Sequence, residues 1–199
     1  MSSPTLPQIF LARHGETEWT VTGQHTGRTD LPLTPRGERN AKRLGERLAG
    51  MTFARVIVSP LQRTKQTCEL AGFAKVAAVD PDLVEWDYGD YEGKTTKEIR
   101  IERPDWLLFR DGCPGGESLA DISARADRVI ARLREIAGDV LVFSSGHFSR
   151  VLGARWLGLE ASAGRYFFLG TATLSCLGYE HTTAEPVLRL WNDARHVGD

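Results

Sequence analysis

Short apolar runs alternate with longer amphipathic stretches along this chain. Ile9-Phe10-Leu11-Ala12 reads as a buried strand that ends at Arg13-His14-Gly15. Thr34 then caps, and Pro35 opens, a helix reaching about Leu48, with Ala41, Leu44 and Leu48 on one face. Val56-Ile57-Val58 predicts a β-branched strand stopped at Ser59-Pro60, and Leu61 to Ala71 the helix after it. Val76 to Val79 is another short apolar run. Thr96 to Glu102 predicts a short helix halted before Pro104. Ser118 to Ile136 predicts a long one, with Leu119, Ile122, Ala126, Val129 and Leu133 on one side. Val140 to Phe143 predicts a strand, Phe148 to Leu157 its helix, and Thr173 to Tyr179 with Val187 to Trp191 two closing strands.

Strands that alternate with helices predict an α/β three-layer sandwich, a mostly parallel central sheet with helices on both faces. The 199 residues fit a single domain spanning 1–199. The Gly- and acid-rich stretch of roughly 87–116 breaks the rhythm and reads as a small roofing subdomain over the sheet's edge.

Composition narrows the function classes. A 41% hydrophobic, 26% charged chain can bury a sizeable core. A net charge of −1 gives no electrostatic footprint for nucleic acid or an acidic membrane, so positive charge is expected in a pocket rather than across a face. No apolar run is long enough to span a bilayer, and Met1 to Gln8 has neither the basic start nor the apolar stretch of a secretory leader. Cys68, Cys113 and Cys176 are odd in number and far apart, which argues against a disulfide framework or zinc site and fits a cytoplasmic compartment. The five histidines show no metal-ligand spacing. Neither metal nor cofactor is expected, and a homodimer is compatible with the sequence.

The chemistry gathers at strand ends. In open α/β sheets ligands bind in the crevice at the carboxyl ends of the strands. Arg13 and His14 are delivered there by the first strand, Arg63 by the first turn after the second, and Ser144-Ser145-Gly146-His147 by the strand that runs into a helix at Phe148. A neutral imidazole can attack phosphorus, guanidinium groups match phosphate oxygens, and helix starts such as the one reached through Gly146 and His147 at Phe148 offer free N–H groups to an anion. Singly, each has a bland alternative: Arg63 as a solvated face, His147 as a loop histidine. Together they make an anion pocket.

The run Leu11-Ala12-Arg13-His14-Gly15-Glu16-Thr17-Glu18-Trp19 resembles the signature of the histidine phosphatase superfamily, phosphoglycerate-mutase-like branch. The likeness continues through Thr26-Gly27-Arg28-Thr29-Asp30, Ser59-Pro60-Leu61-Gln62-Arg63-Thr64, Glu85-Trp86-Asp87-Tyr88-Gly89, Gly115-Gly116-Glu117-Ser118 and Gly146-His147-Phe148-Ser149-Arg150. The stretch from Glu85 is similar to acid-phosphatase and sugar-bisphosphatase members. The resemblance implies a phosphohistidine at His14, with Arg13 and Arg63 on the phosphoryl oxygens. It implies Glu85 as the acid that protonates the leaving alkoxide and then activates water, and an anionic phosphate nearby would favour the protonated carboxyl. It places Thr20, Thr26, Gly27 and Tyr88 along the substrate's approach.

One position departs from the family. Its final motif carries a second catalytic His where this chain has Ser145, and His147 stands two residues later. His147 substituting for it, Ser145 sufficing, and a weakly active or inactive phosphate-ester-binding protein all stay open. Thr96 stands where mutases of the branch carry a Lys, so a metal-independent phosphomonoester hydrolase acting on a small ester such as a sugar phosphate is preferred to mutase-type phosphoryl transfer. Trp86, Tyr88, Trp106 and Phe109 fit either a wall against the substrate or a small core under the roof.

Overall fold

The structure is a computed structural model that describes residues 6–198. The reading of Met1–Gln8 falls largely on residues 1–5, outside the described ones. Six strands form one sheet: β1 (Ile9–Arg13), β2 (Arg55–Val58), β3 (Ala77–Val79), β4 (Val140–Ser144), β5 (Leu174–Tyr179) and β6 (Pro186–Asp193), in the order β3-β2-β4-β1-β5-β6. The helices are α1 (Glu18–Thr22), α2 (Pro35–Leu48), α3 (Gln62–Leu70), α4 (Thr96–Glu102), α5 (Leu108–Asp111), α6 (Leu119–Arg134) and α7 (Gly146–Trp156).

Both faces of the sheet are covered, and for that reason β1 and β4 read as continuous apolar runs. Ile9 and Leu11 of β1 with Val140 and Val142 of β4 pack under α6 and α7 through Ile122, Ala126, Val129, Phe148 and Leu152. The alternate residues, Phe10, Ala12, Leu141 and Phe143, meet Leu44 and Leu48 of α2 and Cys68 of α3. The expected three-layer α/β sandwich is thus found. Trp86 and the aromatic residues of the 87–116 stretch, Tyr88, Tyr91, Trp106 and Phe109, are buried in the first of these cores.

The sheet is mixed rather than uniformly parallel. β3, β2, β4 and β1 run parallel, whereas β5 is antiparallel to both β1 and β6. The chain after α7 supplies the reason. A 3-10 stretch (Ala161–Tyr166) carries it back to the carboxyl edge of the sheet, where Arg13 N–H donates to Thr173 O and Ala172 N–H donates to His14 O. β5 therefore enters from that edge, so residues 169–173 pass beside the end of β1. Helix starts also shift: α7 begins at Gly146, two residues before the expected Phe148, and α1 and α5 form where no helix was predicted.

Candidate active site

The end of β1 fixes the first imidazole. His14 N–H donates to Ser144 O of β4 at 3.0 Å, and its carbonyl accepts from Ala172, also at 3.0 Å. The ring's Nδ1 lies 2.7 Å from Gly15 O. A carbonyl only accepts, so Nδ1 carries the proton and Nε2 keeps its lone pair. Burial, then the charges of Arg63 and Arg13, holds His14 well below the usual histidine pKa. The imidazole is neutral at pH 7.

Two guanidinium groups flank it without a carboxylate partner. Arg13 donates from Nη1 to Leu169 O, and its Nε is buried with no partner. Arg63, fully buried in the first turn of α3, donates to the carbonyls of Thr26, Gly27 and Thr29 at 2.9–3.0 Å, and its Nε also lacks a partner. Desolvation lowers the pKa of both, and they remain charged. A buried donor left unpaired costs about 1–3 kcal/mol, more when charged, so each Nε marks a place for an acceptor. Gly146 allows the approach: a Cβ there would stand 3.1 Å from Arg13 Nε and Cζ.

Glu85 sits at the start of α7. Its Oε1 accepts from the N–H groups of Trp86 and Phe148 at 2.9 and 2.8 Å, and Oε2 from that of His147 at 3.0 Å. Oε2, with a single bond, keeps a lone pair for a proton. Ser145 is the N-cap of α7 but makes no capping bond, and its hydroxyl is buried and unpartnered.

A cavity of about 260 Å³ opens here, lined by Arg13, His14, Glu85, Tyr88 and His147 and by Trp19, Thr20, Gly23, Gln24, His25, Thr26 and Thr96. Arg63, Gly27, Ser145 and Gly146 are buried behind that lining rather than in it. Thr20 and Thr26 line it with their hydroxyl protons already given to Thr17 O (2.8 Å) and Gln24 O (3.2 Å), and the Gln24 amide donates to Gly93 O at 2.8 Å. Thr20 belongs to the capping box of α1, the helix that sequence periodicity passed over. Of the four aromatic residues considered for a substrate wall, Tyr88 alone lines the cavity; Trp86, Trp106 and Phe109 are core. A larger hollow, about 780 Å³, lies between α2 and the C-terminal segment, but its Arg47 and Arg195 are already paired with Asp193.

His25 and Arg125 escaped sequence reasoning. His25 faces the cavity, tilted against the Tyr88 ring at 4.7 Å, and burial lowers its pKa to about 4. A lone histidine in a loop gave no signal. Arg125 of α6 donates to the carbonyls of Asp82, Val84 and Glu85 and to both carboxylate oxygens of Glu117, so it carries the segment that presents Glu85. Its place beside Ala126 on the apolar face of α6 was the available clue.

Residues 9–194 match the family described as the Histidine phosphatase superfamily (branch 1). The chain is 44% identical over 178 residues to an acid phosphatase of Mycobacterium tuberculosis, covering 87% of each. It is 40% identical over 186 residues to the sedoheptulose 1,7-bisphosphatase of Saccharomyces cerevisiae, covering 77% of this chain and 68% of that one. Among solved structures, that of an open reading frame from Mycobacterium tuberculosis superposes with a TM-score of 0.88 at 41% identity, over 94% of this chain and 97% of the other.

Proposed function

The chain belongs to the histidine phosphatase superfamily and is a phosphatase, and we propose that it hydrolyses a small monoester, a sugar phosphate, through a phosphohistidine at His14. One observation carries the reading: His14 is neutral, with Nδ1–H tied to Gly15 O and Nε2 free, in a cavity beside buried, unpaired guanidinium nitrogens.

In the first step His14 Nε2 attacks phosphorus as the bond to the leaving oxygen breaks. Arg13 and Arg63 hold the non-bridging oxygens as charge spreads over them. Glu85 Oε2 gives its proton to the leaving alkoxide. In the second step water attacks phosphorus, Glu85 takes the proton, the N–P bond breaks and inorganic phosphate leaves. The unpartnered Ser145 hydroxyl offers one neutral hydrogen bond from the start of α7. With the two arginines providing positive charge, the reaction is written without a metal.

The rest of the cavity supports a substrate uncharged beyond its phosphate. Apart from Arg13 and Glu85, no lining residue is Lys, Arg, Asp or Glu, and His25 and His147 are held neutral by burial. Thr96 leaves no cation for the carboxylate of a phosphoglycerate, which favours hydrolysis over mutase-type transfer. The cavity is small against ligand pockets of ~300–1,000 Å³, which fits a short polyol phosphate.

The test is phosphate release from p-nitrophenyl phosphate and a panel of sugar monophosphates, bisphosphates and phosphoglycerate, with EDTA present. Hydrolysis led by sugar monophosphates, with an acid-labile phosphoryl group trapped on His14, is the expected result. Loss of activity in EDTA would overturn the metal-free mechanism, and preference for phosphoglycerate would overturn the substrate class.

A further inference from the structure

The family's second imidazole is missing at Ser145, and the cavity is short of uncharged donors. The hydroxyl protons of Thr20 and Thr26 and one of the two N–H donors of the Gln24 amide are spent on backbone carbonyls. Besides His14, the lining holds two neutral imidazoles with a ring nitrogen free of hydrogen bonds to the described residues, His25 and His147, and of the two His147 is the one that feels the charge of Arg13.

We propose that His147 replaces the missing imidazole as a hydrogen-bond donor to a phosphoryl oxygen in the transition state, and that Tyr88 is the positioning residue that sets it in the Nε2–H tautomer. This deepens the hydrolase reading and rests on it.

The argument is one of hydrogen-bond supply. The Tyr88 hydroxyl lies 2.6 Å from His147 Nδ1. Tyr88 is fully buried, and among the described residues its proton has no other acceptor. If Nδ1 carried a proton, the hydroxyl would have to accept it and leave its own proton without an acceptor among the described residues. With Tyr88 donating, Nδ1 accepts, and the ring proton must sit on Nε2. That nitrogen makes no hydrogen bond to the described residues, and the side chain lines the same cavity as His14 and Arg13.

The surroundings keep both groups in the required state. Burial raises Tyr88 well above the usual tyrosine pKa, so it holds its proton. Burial, with Arg150, His25 and Arg13 nearby, holds His147 well below the usual histidine value, so it stays a neutral ring. The Tyr88 ring is wedged in place. A Cβ on Gly27 would stand 3.0 Å from it, and the His25 ring tilts against it with centroids 4.7 Å apart. The His147 ring meets Phe109 edge-on at 5.5 Å, and its backbone N–H is held by Glu85. Arg13 lowers both His14 and His147, so a phosphoryl group seated on Arg13 has one imidazole as nucleophile and the other as donor within the same field.

Two-bond ¹⁵N–¹H spectra of the labelled full-length protein read the tautomer directly, with His147 assigned by its loss in His147→Asn. The Nε2–H form is expected in the wild type, and a mixture of tautomers in Tyr88→Phe. An Nδ1–H ring in the wild type, or an unchanged population in Tyr88→Phe, overturns the positioning role. The donor role is read with vanadate, which mimics the five-coordinate transition state, against inorganic phosphate. His147→Ala should weaken vanadate about 10²-fold and lower kcat to the same degree, with phosphate affinity and KM changed little, and His147→Asn should recover part of the loss. Equal loss for vanadate and phosphate, or none, overturns it. Neither the spectra nor the vanadate and phosphate titrations require an ester to turn over. A wild type that hydrolyses nothing and forms no phosphohistidine sinks the hydrolase reading, while the spectra still decide the tautomer.

Discussion

The two sides of the cavity are built by opposite rules. On the side of β1 and α3, Arg13 and Arg63 are buried with charge and donor capacity left over. On the side formed by residues 19–26, Tyr88 and Thr96, the Thr20 and Thr26 hydroxyls and the Gln24 amide donate to nearby backbone carbonyls, and His25 is held neutral. The first side leaves an electrostatic demand that an incoming phosphoryl group meets. The second offers no charge and few donors, so on the proposed reading a second ionic group there would be left desolvated and unpaired. On the proposed reading catalysis rests mainly on the first side and selectivity on the second, with Tyr88 serving both.

The sharpest way to break the contrast is at the nucleophile. His14→Ala should reduce turnover to background while the thermal midpoint stays near that of the wild type. Phosphate release beside a thermal melt checks this, and retained turnover would remove His14 from the mechanism.

The next effect lies with the charges. Arg13→Ala should lower kcat/KM on the order of 10²–10³-fold, the loss typical of one transition-state donor. Arg63→Ala should match it and also destabilise the protein, because Arg63 ties down the carbonyls of Thr26, Gly27 and Thr29. If denaturant melts show the two variants equally stable, that structural share is wrong.

Glu85→Gln sharpens the comparison by leaving-group dependence. Sugar phosphates, with poor leaving groups, should slow by about 10²-fold, and p-nitrophenyl phosphate far less. Equal slowing of both would remove Glu85 as the proton donor.

Acidification distinguishes the two sides more gently. His14 and His25 both have folded-state pKa values below the unfolded 6.5, His25 at about 4. The unfolded chain therefore binds more protons below pH 6.5. Stability is intact above that pH and falls as pH drops, by up to about 1.4 kcal/mol per unit for each ring. The His25 share ends near pH 4. Because His14 is already neutral, its titration should contribute no rise in kcat/KM between pH 6 and 7. Denaturant midpoints and rate profiles measured over pH 4–8 check both.

The smallest expected change tests the uncharged side. Thr96→Lys should shift selectivity toward esters carrying a carboxylate or second phosphate, by less than about tenfold, the scale of a partly exposed ion pair. A ratio of kcat/KM values between a sugar bisphosphate and its monophosphate that does not move would show that this side does not select.

Much of this arrangement is legible along the chain. Ile9 to Ala12 and Val140 to Phe143 had to be central strands, because continuous apolar runs need cover on both faces. The Arg13, His14 and Arg63 cluster followed from three strand ends meeting at one edge. The direction of β5 did not follow, since a period of two residues is the same whichever way a strand runs. It is set by the return of residues 161–173 to the carboxyl edge. The roof aromatics were ambiguous because burial in a core and exposure to a substrate use the same residues.

The sequence alone determined the layers and the meeting of Arg13, His14 and Arg63 at one edge of the sheet, because periodicity and strand-end chemistry are local properties. Only the tertiary structure decided the protonation pattern of the cavity. The bond from Tyr88 to His147 joins residues 59 apart, and Arg125 reaches 40 residues back to Glu85 O. Which nitrogen keeps a lone pair, and which hydroxyl is already spent, depends on partners that come together only when the chain folds.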